Sequence, residues 1–221
     1  IKDKSKVDVR FAFCFPDTYE VGMSHLGIKI LYSQFNSKDY IWCERVFAPW
    51  IDFEQVMRDN DIPLFALESH DSVSEFDIIG FTLQYELSYS NILNMLDLAG
   101  VPLYSKDRKG LKNLVVAGGP CACNPEPISD FVDLFFLGDG EEVDLELIDL
   151  YRECKKKNTS KDEFLRLAAK IEGVYVPALY NIEYCEDNTV KKITPVDSAP
   201  ETVKKRIIKN LDDTFYPEDF V

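Results

Sequence analysis

Positive charge is scarce in this sequence relative to negative. Lysine and arginine number 25 against 39 aspartate and glutamate, for a formal net charge of −14. Phosphate backbones and anionic membrane surfaces call for the opposite sign, so neither nucleic acid nor membrane is expected as a partner. No stretch of roughly 18 apolar residues occurs, so no membrane span is expected. Residues Ile1 to Lys6 are polar and charged, unlike the start of a signal peptide. Histidine is nearly absent: His25 and His70 are the two, and no CxxC accompanies them, so no common zinc pattern forms. No G-x-G-x-x-G follows the first apolar run and no G-x-x-x-x-G-K-[ST] occurs, which disfavours NAD and nucleoside triphosphates. A nucleophile elbow is missing too.

What remains is an ordinary globular balance, with 46% hydrophobic and 29% charged residues in 221. That length fits one large domain, or one domain with a small appendage. Six cysteines (Cys14, Cys43, Cys121, Cys123, Cys154 and Cys185) lie mostly in apolar runs or on a helix face. They read as reduced, mostly buried thiols of a cytoplasmic protein. The chain starts on Ile1 and ends on Phe220-Val221 after an acidic, proline-containing stretch, which reads as a piece of a longer protein.

Hydrophobic periodicity sets out the elements. Val7 to Pro16 is a nearly continuous apolar run, the signature of a buried parallel strand. Leu26, Ile30, Leu31 and Phe35 then recur at helical steps. Ile41 to Ala48 reads as a second strand, Asp52 to Asn60 as a short helix, and Phe76 to Gln84 as a third strand. Tyr89, Ile92, Leu93, Leu96 and Ala99 form a helical stripe closed by Gly100 and Pro102. Leu114 to Pro120 and Asp133 to Gly138 are strands that run into glycine turns. Asp139 with Glu142 has the spacing of a capping box for a helix to about Lys156, and Thr159 and Ser160 precede another, Glu163 to Ile171. Strand and helix alternate five times, which predicts a doubly wound parallel sheet with helices on both faces and strand order 2-1-3-4-5. Residues 1–172 form this domain. Residues 173–195 read as a β-hairpin extension, Val174 to Tyr184 pairing with Thr189 to Ile193. Residues 196–221 read as a linker with at most a short helix or strand around Val203 to Ile208.

Open parallel sheets bind ligands beyond the carboxyl ends of their strands. The loops to inspect are therefore Phe15 to His25, Gln84 to Ser88, Gly118 to Pro120 and Gly138 to Glu141. Gly118, Gly119, Gly138 and Gly140 place four of the ten glycines on one rim, where a ligand can approach the backbone closely. His25, at the start of the first helix, reads as a cap rather than a metal ligand. Asp139, Glu141 and Glu142 also complement a helix dipole.

Several segments together carry a resemblance. Val115-Val-Ala-Gly-Gly-Pro120, Asn124-Pro-Glu-Pro127 and Asp133-Leu-Phe-Phe-Leu-Gly-Asp-Gly-Glu141 are similar to the second half of the cobalamin-binding-type domain that precedes the catalytic core of many radical SAM proteins. Phe15-Pro-Asp17, Val21-Gly-Met-Ser-His-Leu-Gly27, Glu44-Arg-Val-Phe-Ala-Pro-Trp50 and Gln84-Tyr-Glu-Leu-Ser-Tyr89 resemble its first half, in an uncharacterised subgroup. The match covers roughly residues 7 to 150 well. It implies a flavodoxin-like Rossmannoid domain carrying a corrinoid over its strand ends, with no catalysis by this segment itself. Its partner would be the protein's own radical SAM core, holding the 4Fe-4S cluster and S-adenosylmethionine. The C-x3-C-x2-C pattern such a cluster needs is missing from this chain.

The D-x-H-x-x-G motif of histidine-ligated cobalamin domains is not matched either. Met23 stands at the aspartate position, and Gly27 follows His25 after one residue. The resemblance therefore implies cobalamin, if held, without a histidine lower ligand. The expected contacts are Ser24, His25, Gln84, Ser88, Gly118, Gly119, Pro120, Gly138, Gly140 and Glu141. Two alternatives stand beside it: a cofactor-free module that packs on the core and shapes its substrate channel, and a flavodoxin-like flavin carrier.

Overall fold

A computed structural model describes residues 2–197 and 199–218. In chain order the elements are β1 (Val9–Phe15), α1 (Tyr19–Gly22), α2 (Leu26–Asn36), β2 (Ile41–Phe47), α3 (Ile51–Asp59), β3 (Ile78–Thr82) and α4 (Tyr89–Leu98). There follow β4 (Leu114–Gly118), β5 (Leu134–Phe136), α5 (Gly140–Lys157), α6 (Lys161–Ala168), β6 (Val174–Tyr175), β7 (Tyr180–Tyr184) and β8 (Val190–Pro195).

The sheet runs β2-β1-β3-β4-β5-β6, and its first five strands are parallel in the expected 2-1-3-4-5 order. Side-chain alternation divides the core into two layers. Phe11, Phe13, Ile78, Val116 and Phe136 meet α2, α5 and α6 on one face. Ala12, Ile79, Val115 and Phe135 meet α3 and α4 on the other.

The sheet departs from the expected five strands. Val174 and Tyr175 pair antiparallel with β5 and make a sixth. Gly173, at φ +92°, turns the chain back after α6, and the two apolar residues cover an edge that would otherwise be open. The hairpin consequently begins at Tyr180, because Pro177 opens a 3₁₀ turn (Pro177–Leu179) between the two pairings. Helix α6 starts two residues before Glu163, since the Ser160 hydroxyl accepts the Glu163 N–H at 3.2 Å and fixes Lys161 as its first residue.

A buried ion cluster locks the amino-terminal end of the sheet. Asp133 accepts the Val115 N–H at 2.7 Å and pairs with Arg108 (3.1 Å) and Lys161 (2.6 Å), and it also takes the Ser105 hydroxyl. Arg108 donates further to the carbonyls of Pro102, Leu103 and Phe131. One carboxylate thus holds two cations and the loop between α4 and β4, with every polar atom of the group occupied.

The stretch 199–208 lies against the domain. The Arg206 N–H donates to Leu137 O at 2.7 Å, and its carbonyl accepts the Asp139 N–H at 3.0 Å. The guanidinium reaches Glu142 at 2.9 Å and also meets Glu146. Asp139 does not close the expected capping box, because its carboxylate accepts the Ile208 N–H at 2.8 Å instead.

Candidate functional site

Strands β3 and β4 each lack one side chain on the face that meets α2 and α5. Gly80 is in phase with Ile78, and Gly118 with Leu114 and Val116, all on that face. The ring of Phe11 uses the room left at Gly80, where a Cβ would come within 2.4 Å of it. At Gly118 an added Cβ would meet nothing closer than 3.4 Å. Beneath this gap lies a slot of about 250 Å³ between the sheet and helices α2 and α5. Phe13, Val116 and Phe136 line it from the sheet, Ile28, Leu31 and Phe35 from α2, and Glu141 and Asp144 from α5. Its exposed lining residues, Gly119, Gly138 and Asp139, mark a mouth at the carboxyl ends of the strands.

Asp144 is the polar feature of the slot. Only 7% of it is exposed, and its Oδ1 has no hydrogen-bond partner. Burial, followed by the nearby Glu141 charge, holds its carboxyl well above the usual carboxylate range. A proton-bearing carboxyl can donate as well as accept. Gln34 bridges the helices beside it, donating from Nε2 to the Glu141 carbonyl at 2.8 Å and leaving its Oε1 unpartnered. Sequence reasoning missed Gly80, Gln34 and Asp144. The signal for Asp144 was present: with Leu147, Ile148 and Tyr151 it follows the 3- and 4-residue spacing of the buried stripe of α5.

The residues expected at a ligand separate into two groups. His25, Gln84, Gly118, Gly119, Gly138, Gly140 and Glu141 line the slot. Ser24, Ser88 and Pro120 do not. The Ser24 hydroxyl donates to Val21 O and that of Ser88 to Tyr85 O, both at 2.8 Å, so these serines close turns. Pro120 is exposed and opens the turn Pro120–Cys123. His25 is the N-cap of α2, and its Nδ1 accepts the Ile28 N–H at 3.3 Å. In that tautomer Nε2 carries the proton, so neither nitrogen offers a free lone pair to a metal. Gln84 donates to Thr82 Oγ1 at 2.5 Å at the end of β3.

Both glycine corners stand on one rim, but the chain itself makes the close approach at two of these glycines. A Cβ on Gly119, at φ +105°, would lie 3.0 Å from Leu83 O, and one on Gly138, at φ +102°, would lie 2.0 Å from Arg206 O. Gly118 is the corner position where a Cβ would make only ordinary contacts, the nearest with Phe136 at 3.4 Å.

Among the described residues no group of three or more His, Cys, Asp or Glu could hold a metal, and no helix is long and apolar enough to cross a membrane. All six cysteines are free thiols; Cys14, Cys43 and Cys154 are buried, while Cys123 and Cys185 are exposed.

Comparison with known proteins bears on the family. The chain is 29% identical over 187 residues to the uncharacterized protein MJ0966 of Methanocaldococcus jannaschii, an alignment covering 83% of this chain and 31% of that protein. The chain therefore spans about a third of the length of that relative. The family described as "Radical SAM proteins, N-terminal" matches residues 27–177. With more than half of its length matched, and a parallel sheet with a slot at its carboxyl rim, the chain belongs to the N-terminal domain family of radical SAM proteins.

Proposed function

We propose that this domain holds a corrinoid for a radical SAM core, with a planar heterocyclic tail in the slot and the corrin on the rim above it. The observation that carries this is the slot itself: an apolar cleft under the strand ends with one unpartnered carboxyl oxygen, Asp144 Oδ1. At about 250 Å³ it is smaller than the roughly 300–1,000 Å³ typical of sites for whole drug-sized ligands, so it suits a ring appended to a larger group. Phe13, Ile28 and Val116 would sandwich that ring, and the Asp144 carboxyl would donate to a ring nitrogen. Gly118 would let the macrocycle lie close to the backbone. The cofactor would supply methyl or electron transfer chemistry, and this chain would bind and orient it without a protein ligand to cobalt, since His25 is engaged as a cap. The 4Fe-4S cluster and S-adenosylmethionine implied by the family would belong to a core outside this chain.

A cofactor-free packing module is the second reading, favoured by one observation: Arg206 covers the Gly138 corner and narrows the usable rim. One experiment separates them. The purified protein is mixed with hydroxocobalamin, desalted and scanned for corrin absorption. Near-stoichiometric retention is expected, with loss on Gly118→Phe, which would project a ring into the slot. A protein that retains nothing, alone or with its core, would leave the packing reading, and a bound yellow chromophore would point to flavin.

A further inference from the structure

The loops that follow β1, β2 and β3 are unusually apolar on their outer side. Trp50 is 66% exposed, Ile51 76% and Leu87 86%, and Tyr19, Val21 and Tyr85 are each at least two-fifths exposed. Two contacts link these loops. Tyr19, Trp50 and Phe53 share a groove floored by Phe47 and Met57, and the Tyr85 hydroxyl donates to Asp17 at 3.0 Å, tying the loop after β3 to the loop after β1. Beside their charged residues, α1 turns out Tyr19 and Val21, and α3 turns out Ile51 and Phe53, large apolar side chains that an exposed helix face usually lacks. An exposed aromatic and aliphatic patch with a charged edge has the composition of an interface centre and its rim. Its border is acidic and exposed: Glu20, Asp52 and Glu86.

We propose that this rim patch is the face on which the radical SAM core of the same protein docks, through an apolar centre fringed by lysine and arginine. The inference rests on family membership and on a core outside this chain, and it is independent of what the slot holds. Two observations select that occupant. The chain corresponds to 31% of its relative MJ0966, so proteins of this kind carry roughly twice as much further chain, at the high effective concentration that a covalent linkage gives. A second copy of this chain would instead set the acidic fringe of one molecule against the same fringe of another, in a chain of net charge −14, and like charges facing each other oppose that pairing. The patch also adjoins the slot mouth through Gln84 and Tyr85, so a docked core would close over whatever the slot presents.

The test uses the full-length natural protein with benzoyl-phenylalanine in place of Ile51 or Leu87, irradiated and mapped by mass spectrometry. Adducts to core peptides of the same polypeptide are expected, with none from a control placed at Lys192 on the exposed hairpin. The double variant Ile51→Glu/Leu87→Glu should keep the wild-type circular dichroism spectrum, while proteolytic cleavage between domain and core speeds up about tenfold. Adducts joining two copies, or cleavage unchanged in the double variant, would overturn the proposal. Hydroxocobalamin retention by the same preparations reads the slot separately, so the corrinoid reading can fail while the docking face stands, and the reverse.

Discussion

The two glycine corners on the rim look alike in sequence and differ in use. At Gly118-Gly119 the second glycine yields to the backbone of Leu83, and the first opens onto the slot. At Gly138-Asp139-Gly140 the space a side chain on Gly138 would use is taken by the chain's own Arg206, whose carbonyl would sit 2.0 Å from any Cβ there. A glycine at a strand end therefore signals that something approaches the backbone closely, without saying whether that is a ligand or the protein itself.

That comparison can be broken or sharpened by substitution. The largest effect is expected from Gly138→Val, which combines a clash with a β-branched residue at positive φ: a loss on the order of 3 kcal/mol in urea unfolding, with Arg206 displaced. If Gly138→Val proved as mild as a change at Gly118, the contrast between the corners would collapse. Ser88→Ala, which removes a buried hydroxyl from its turn, should cost about 1 kcal/mol and leave hydroxocobalamin retention unchanged, because Ser88 lies outside the slot. Arg206→Ala should cost up to about 1 kcal/mol, as its carboxylate partners are half exposed, and should speed hydrogen exchange of the Asp139 amide. Gly118→Ala should shift stability by no more than about 0.5 kcal/mol, yet weaken retention by narrowing the slot.

Asp144 gives a pH test of the same slot. Its folded pKa is raised, so the unfolded chain loses this proton first, near the ordinary value of about 3.9. The proton-bound form stabilises the fold fully below that pH, and the contribution is lost as pH climbs toward the folded pKa. Asp144→Asn removes this dependence. The stability of the variant relative to the wild type should thus rise with pH from about 4 upward, measured by thermal melts across a pH series. A flat difference would mean that folding does not shift this carboxyl.

The main frame was legible because each parallel strand writes its own burial: the Val9–Phe15 run is apolar at nearly every position, and helix stripes separate the strands. The sixth strand escaped because two residues, Val174 and Tyr175, carry no periodicity, and their pairing depends on the edge that β5 presents. Asp139 and Glu142 showed capping-box spacing, yet distant backbone at Ile208 and the Arg206 side chain claimed both carboxylates. The glycines, His25 and Gln84 picked out at the strand ends do line the slot. Its interior was not foreseen, because Gly80 and Asp144 act through neighbours brought together only by folding. Ser24 and Ser88 misled for the opposite reason: a hydroxyl in a rim loop is as useful for closing a turn as for meeting a ligand.

The stitching of residue 206 to the tip of β5 bears on motion. Two backbone hydrogen bonds, a pair of carboxylate contacts and the Ile208 amide on Asp139 make 199–208 travel with the sheet. A pivot placed at the hairpin's end, near residue 196, would have to peel all of these away at once. A bend in this part of the chain would cost less beyond Ile208 than before it, since the contacts that hold 199–208 to the sheet end there.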